Sequence, residues 1–122
     1  MALWGCGQNT LETDLDGQAE KTVTYIRETV ASPVIGSVGG EWAVLGVAKS
    51  GVETDKSYFD TYYDNVRAAV KSSEGVIHDK FYTDYARVTL ALCAIDKDPS
   101  NVESYDLTEN FDRYDELTWQ GA

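Results

Sequence analysis

Apolar residues recur along this chain at the three- and four-residue spacing of α-helices. The most regular repeat steps through Phe81, Tyr85, Val88, Leu92 and Ile95. It is the cleanest helical pattern in the chain and predicts an α-helix. Asp98-Pro99 is expected to close this helix, because the residue before a proline avoids the helical conformation.

An earlier stripe predicts the first helix of the chain. It consists of Ala19, Val23, Ile26 and Val30. The helix is expected to begin at Asp16 or Gly17 and to end at Ser32-Pro33. Residues 1–15 are polar and lack a periodic apolar pattern, so they are predicted to form a flexible N-terminal tail.

The next element is apolar on nearly every side. Its sequence is Glu41-Trp42-Ala43-Val44-Leu45-Gly46-Val47-Ala48. Such a pattern is typical of a helix buried in the interior, although a strand competes for so short a run. The alanine and glycine content and the stop at Gly51 favour a helix.

A third stripe predicts another amphipathic helix, and a weaker one follows near the end of the chain. The stripes are Phe59, Tyr62, Val66 and Ala69, and then Leu107, Phe111, Tyr114 and Leu117. Asp55 or Ser57 is expected to cap the first of these helices, and Gly75 to end it. Residues 101–122 are expected to contain a short last helix. The predicted fold is therefore all-α, with about five helices.

Two apolar helices of this series open with similar residues. Glu41-Trp42-Ala43 and Asp84-Tyr85-Ala86 both read acid, aromatic, alanine, and they lie 43 residues apart. This distance is the length of one helical hairpin with its loops. Each apolar helix also follows a more amphipathic one. The alternation indicates a two-layer array of α/α hairpins, with outer helices facing water and inner helices packed inside.

Composition narrows the function classes. The chain has 122 residues, enough for one domain, and a net charge of −11, which disfavours nucleic acid as a partner. No apolar run is long enough to span a membrane, so no membrane insertion is expected. With 1 His and 2 Cys the chain is too poor in ligands for an ordinary zinc site, and neither metal nor cofactor is predicted. Cys93 is expected to be a small buried hydrophobe.

Several segments resemble one family of repeats. They are Gly39-Gly40-Glu41-Trp42-Ala43-Val44-Leu45-Gly46-Val47-Ala48-Lys49-Ser50-Gly51, Tyr62-Tyr63-Asp64-Asn65-Val66, Tyr82-Thr83-Asp84-Tyr85-Ala86-Arg87-Val88, Leu90-Ala91-Leu92-Cys93-Ala94-Ile95, Lys97-Asp98-Pro99-Ser100-Asn101-Val102 and Trp119-Gln120-Gly121. The run is similar to the terpenoid-cyclase and protein-prenyltransferase-like α/α toroid repeats of Gram-positive bacterial cell-surface proteins, most of them uncharacterised.

The resemblance implies that residues 16–122 form part of a larger toroid, a partial or half array of hairpins. It also implies an extracellular or cell-surface location, although the chain carries no signal peptide. Other domains of the parent protein, or a second copy of the chain, are the expected partners. Leu3-Trp4-Gly5-Cys6 is similar to the end of a lipoprotein signal, which leaves Cys6 either a lipidation site or an ordinary terminal cysteine.

The residues that toroid enzymes use are missing from this sequence. The Asp-rich acid motif of terpenoid cyclases does not occur, and the Asp, Cys and His set that holds zinc in prenyltransferases has no counterpart. No catalytic residue is therefore predicted. Glu41 and Asp84 are expected at inner-helix starts, where a carboxylate either caps the helix or contacts a ligand. Arg87 lies three residues after Asp84 and is expected to pair with it.

Three aromatic residues complete the candidate site, in which a ligand would meet a flat apolar floor with polar handles. The six candidate ligand-binding residues are Glu41, Trp42, Tyr82, Asp84, Tyr85 and Arg87. The leading hypothesis is a non-catalytic extracellular binding or scaffolding module. The alternatives are a binder of a small apolar molecule, corrinoid or isoprenoid-like, and a degenerate cyclase or prenyltransferase-like enzyme.

Overall fold

A computed structural model describes residues 2–77, 82–109 and 111 of the chain, without the side chains of residues 2–14, 37 and 82. The described residues form α-helices and no strands, so the all-α prediction is confirmed. The helices are Ala2–Thr29 (α1), Glu41–Lys49 (α2), Lys56–Ser72 (α3) and Tyr82–Ala94 (α4), and a short 3₁₀ turn, Ser37–Gly39, precedes α2.

Helix α1 begins earlier than its apolar stripe predicts. The expected start was Asp16 or Gly17, whereas the helix begins at Ala2. The segment before Asp16 has no proline, and a helix can continue through polar residues without a buried stripe. An argument from apolar spacing alone misses this part of the helix. The end is closer to expectation, since α1 finishes at Thr29, just before Ser32-Pro33.

Helix α3 has the predicted cap. The carboxylate of Asp55 accepts a hydrogen bond from the backbone N–H of Ser57 at 2.9 Å. This bond occupies one of the N–H groups that a helix start leaves without a partner. It also lowers the pKa of Asp55, because the hydrogen bonds from Ser57 stabilise the charged carboxylate.

Helices α3 and α4 end in the same way. The N–H of Gly75 donates to the carbonyl of Val70 at 2.9 Å, and Lys97 makes the equivalent bond at the end of α4 at 2.9 Å. Each bond returns to the third residue from the end of its helix, which defines a Schellman motif. The left-handed position within the motif holds Glu74 (φ 55°) in one case and Asp96 (φ 60°) in the other. Two acidic residues thus occupy a conformation that favours glycine.

The core lies where α2, α3 and α4 meet the second half of α1, and α2 packs against both α4 and α1. Its fully buried members are Val44, Val47, Tyr62, Val66, Val70, Val88, Ala91, Leu92 and Val102. The side-chain amide of Asn65 donates to the carbonyl of Pro33 at 2.8 Å, which ties the α1–α2 connection to α3. Cys93 is exposed, contrary to prediction, because it lies on the side of α4 opposite the buried stripe.

The predicted last helix is wrong over residues 101–109. Val102 and Tyr105 exchange two backbone hydrogen bonds of 2.9 Å across a two-residue turn. The turn residues Glu103 and Ser104 both have positive φ, of 52° and 70°, as a type I′ turn requires. Leu107 is buried after the turn, in a described segment that is not helical.

Residues 110 and 112–122 lie outside the described part, and so do the later positions of that stripe. The described residues contain four helices rather than about five. The half-toroid arrangement, the N-terminal tail and the domain bounds remain predictions. None of the described helices is long and apolar enough to cross a membrane.

Candidate functional site

Glu41, the first residue of α2, is buried at 1% exposure although it carries a carboxyl group. That group accepts a hydrogen bond of 3.0 Å from the backbone N–H of Gly36. The preceding loop is thereby folded back onto the start of α2. Gly40 makes this possible, because a Cβ atom at that position would overlap the carbonyl oxygen of Val34. The carboxylate at this helix start therefore organises the loop before the helix.

Asp84 and Arg87 form the predicted ion pair within α4. Nη2 of Arg87 lies 2.6 Å from the carboxylate of Asp84, and each side chain is 20% exposed. Partial burial strengthens such a pair relative to one on an open surface, because less water screens the two charges. The pair also neutralises the charge that each residue would otherwise bring to the α2–α4 contact.

Tyr62 joins this group, although the sequence indicated only a packing role for it. Its side chain is fully buried in the core. Burial raises the pKa of Tyr62 strongly, the negative charge of Glu41 raises it further, and Arg87 opposes this. Both charged residues are therefore close enough to act on the phenol. Tyr62 occupies the centre of the α3 stripe, and that spacing gives no sign of the charges it faces.

The three aromatic candidates do not form one site in the described part of the chain. Trp42 is exposed at 47%, on the outward side of α2. Tyr85 is buried, and its hydroxyl accepts a hydrogen bond from the N–H of Ile77 at 3.0 Å. The side chain of Tyr82 lies outside the described part. Glu41 and the Asp84–Arg87 pair thus lie near Tyr62, whereas Trp42 lies on the exposed side of α2.

The chemistry of this polar group is that of a structural cluster. Its phenol has a raised pKa and stays protonated at neutral pH, so it cannot serve there as a base. Arg87 is already bound to Asp84, and Glu41 is bound to the loop. Among the described residues no group of three His, Cys, Asp or Glu side chains is placed to hold a metal ion.

Comparison of the chain with protein-family models, with curated proteins and with solved structures finds no match. The resemblance to toroid repeats and the functions it implies stay predictions. The surfaces that the helices present are therefore the basis for a function.

Proposed function

We propose that this chain is a non-catalytic helical binding or scaffolding module, which associates with a second copy of itself through the outward side of α2 and α4. The family resemblance supports an extracellular setting on a bacterial surface protein. The observation that carries the proposal is an exposed apolar surface. We name it the outer face, and its residues are Trp42, Gly46, Ala86, Leu90 and Cys93.

The outer face exposes two large apolar side chains on neighbouring helices. Trp42 is 47% exposed and Leu90 is 53% exposed, while none of the five residues carries a charge. Helices α2 and α4 pack side by side and bury their other sides in one core. Their exposed sides therefore point away from that core together. Exposed apolar residues gathered in this way are typical of an interaction surface.

A second copy of the chain is the occupant that fits this surface best. The five residues carry no charge, and Lys49 is the one exposed charge of α2 on that side, so the face offers little to attract a strongly basic or acidic partner. A two-fold dimer brings the same patch of each copy together, so the apolar residues of one outer face would be covered by those of the other. Gly46 and Ala86 leave room for close approach between helices.

The test is light scattering after gel filtration over a concentration series, at low and at moderate salt. We expect the fraction of dimer to increase with protein concentration and with salt, since salt screens the repulsion between two copies that each carry a charge of −11. Leu90→Lys should abolish the dimer. Val76→Lys is the matched control, because Val76 is 52% exposed and lies outside the outer face.

A monomer at every concentration would overturn self-association. Equal loss of the dimer in both variants would contradict the assignment to the outer face. Disulfide trapping gives an independent readout in a Cys6→Ser background, where Cys93 is the remaining cysteine. We expect oxidation to capture the dimer through Cys93, and a lack of any crosslink in a chain that dimerises would place the interface elsewhere.

A further inference from the structure

A cleft of about 400 Å³ lies between α1 and α3. This volume is within the range of small-molecule sites. Arg27 and Glu28 line it from the end of α1, and Tyr58 lines it from the start of α3. The cleft shares no residue with the outer face, so an inference from it is independent of the proposed dimer.

Arg27 is a cation without an acidic partner in this cleft. The carbon at the centre of its guanidinium lies 5.8 Å from the centre of the Tyr58 ring. No carboxylate in the described part of the chain is within ion-pair distance of Arg27, and its Nε is buried without a hydrogen-bond partner there. Asp55 is near enough for Arg27 to help lower its pKa, but its carboxylate is engaged in capping α3.

Tyr58 presents a second polar atom without a partner. The residue is only 5% exposed, and within the described part of the chain its buried hydroxyl makes no hydrogen bond. Buried polar atoms in proteins almost always have a partner, and the described part of the chain leaves Nε of Arg87 and the hydroxyl of Tyr62 without one as well. The cleft differs from that cluster because its arginine has no ion pair with any described residue, and a carboxylate ligand would supply one.

Glu28 restricts which carboxylate can bind. Its acidic side chain is exposed and lines the same cleft as Arg27. A multiply charged anion would be repelled by it, whereas an ammonium group would be attracted. A ligand that carries both a carboxylate and an ammonium group satisfies the two ends of the cleft together.

We propose that the cleft between α1 and α3 binds a small zwitterion, a free amino acid or a dipeptide. The carboxylate of the ligand pairs with the guanidinium of Arg27, which lies beside the ring of Tyr58, and its ammonium group faces Glu28. Binding of this kind would add a small-molecule function to a module that we otherwise expect to act through its outer face.

The experiment is titration of the full chain, followed by NMR chemical shifts, with the dipeptide alanyl-alanine and with each of the twenty amino acids. Acetate and ethylammonium serve as probes that carry only one of the two charges. We expect at least one zwitterion to saturate the cleft at about 1 mM or below. Acetate and ethylammonium should each bind at least about tenfold more weakly, because each lacks one of the two charged contacts.

Variants assign the binding to the cleft. Arg27→Gln should weaken zwitterion binding by about tenfold or more, since it removes a charged hydrogen-bond donor. Arg67→Gln is the matched control, because it removes the same charge from an exposed arginine that pairs with Glu103 at 2.6 Å. Glu28→Gln changes an exposed residue, so the fold should tolerate it. It should weaken zwitterion binding without weakening acetate binding.

Three results would overturn the proposal. The first is the lack of saturation by any of these zwitterions up to about 10 mM, well above the expected affinity. The second is equal weakening by Arg27→Gln and Arg67→Gln, which would indicate a non-specific charge effect. The third is acetate binding as tight as zwitterion binding, which would exclude a role for Glu28.

Discussion

Replacement of Glu41 by glutamine tests whether the buried carboxylate is structural. The substitution keeps the size of the side chain and removes its negative charge. In the native chain this carboxylate, 1% exposed, accepts the N–H of Gly36 and holds the loop against α2. A structural role predicts a loss of stability, whereas a ligand-contacting role would allow the fold to tolerate the change.

The expected loss follows from the hydrogen bond. A hydrogen bond to a charged group contributes about 1.5–3 kcal/mol, and a neutral amide oxygen recovers part of this. We therefore expect the free energy of unfolding to fall by about 1–2 kcal/mol in Glu41→Gln. For a domain of this size such a loss lowers Tm by roughly 3–10 °C.

The measurement is urea unfolding followed by circular dichroism, with a thermal melt as a second readout. Glu53→Gln is the matched control, because it removes the same charge from an exposed loop position. We expect the control to change the free energy of unfolding by less than about 0.5 kcal/mol. If Glu41→Gln were as stable as this control, the carboxylate would not hold the loop, and a role in binding would become the better explanation.

Two further predictions concern helix ends and the buried phenol. Glu74→Gly and Asp96→Gly should each raise the free energy of unfolding by about 0.5–1 kcal/mol, measured by urea unfolding, because glycine adopts positive φ without strain. Lys71→Gly is the control inside α3 and should lower the free energy of unfolding by a similar amount. Stabilisation by that control would contradict the reasoning. The raised pKa of Tyr62 means that the unfolded chain loses a proton above its ordinary pKa of 10.0 while the folded chain keeps it, so stability falls as pH rises through that value. Between about pH 10 and pH 11 the free energy of unfolding of Tyr62→Phe should therefore fall by about 1 kcal/mol less than that of the native chain. The measurement is urea unfolding at each pH. Equal losses of stability in the two chains would show that Tyr62 ionises freely in the fold.

Local rules account for the elements that the sequence predicts well. The cap of α3 by Asp55 and the pair of Arg87 with Asp84 could be predicted, because both interactions join residues at most three positions apart. Apolar spacing likewise identifies α3 and α4, since each buries one stripe in the shared core. Helix α2 was predicted instead from a run that is apolar on nearly every side and from the stop at Gly51. Cys93 is an exception, because it was predicted to be buried but lies on the side of α4 opposite Val88 and Leu92 and is exposed.

Other features depend on contacts between residues far apart in the sequence. The turn at Glu103 and Ser104 replaces a predicted helix, and Glu103 is held by Arg67 from the middle of α3 at 2.6 Å. Neither residue is a usual choice for positive φ, so the turn gives no local signal of its own. Over residues 101–109 the backbone forms turns, although the sequence predicted a short last helix within residues 101–122.

The surroundings of Arg27 likewise depend on residues far away in the sequence. From the sequence alone, a basic residue in the last turn of a helix is explained by the helix dipole, which favours a positive charge at that end. The structure adds the ring of Tyr58 beside it and a carboxylate of α3 that is already engaged in capping. The dipole explains why a positive charge is tolerated there, but it provides no ion-pair partner for the guanidinium. A bound carboxylate would supply that partner, whereas Arg87 is already paired with Asp84. For this reason the cleft is a better place to look for a small ligand than the cluster at Glu41, Asp84 and Arg87.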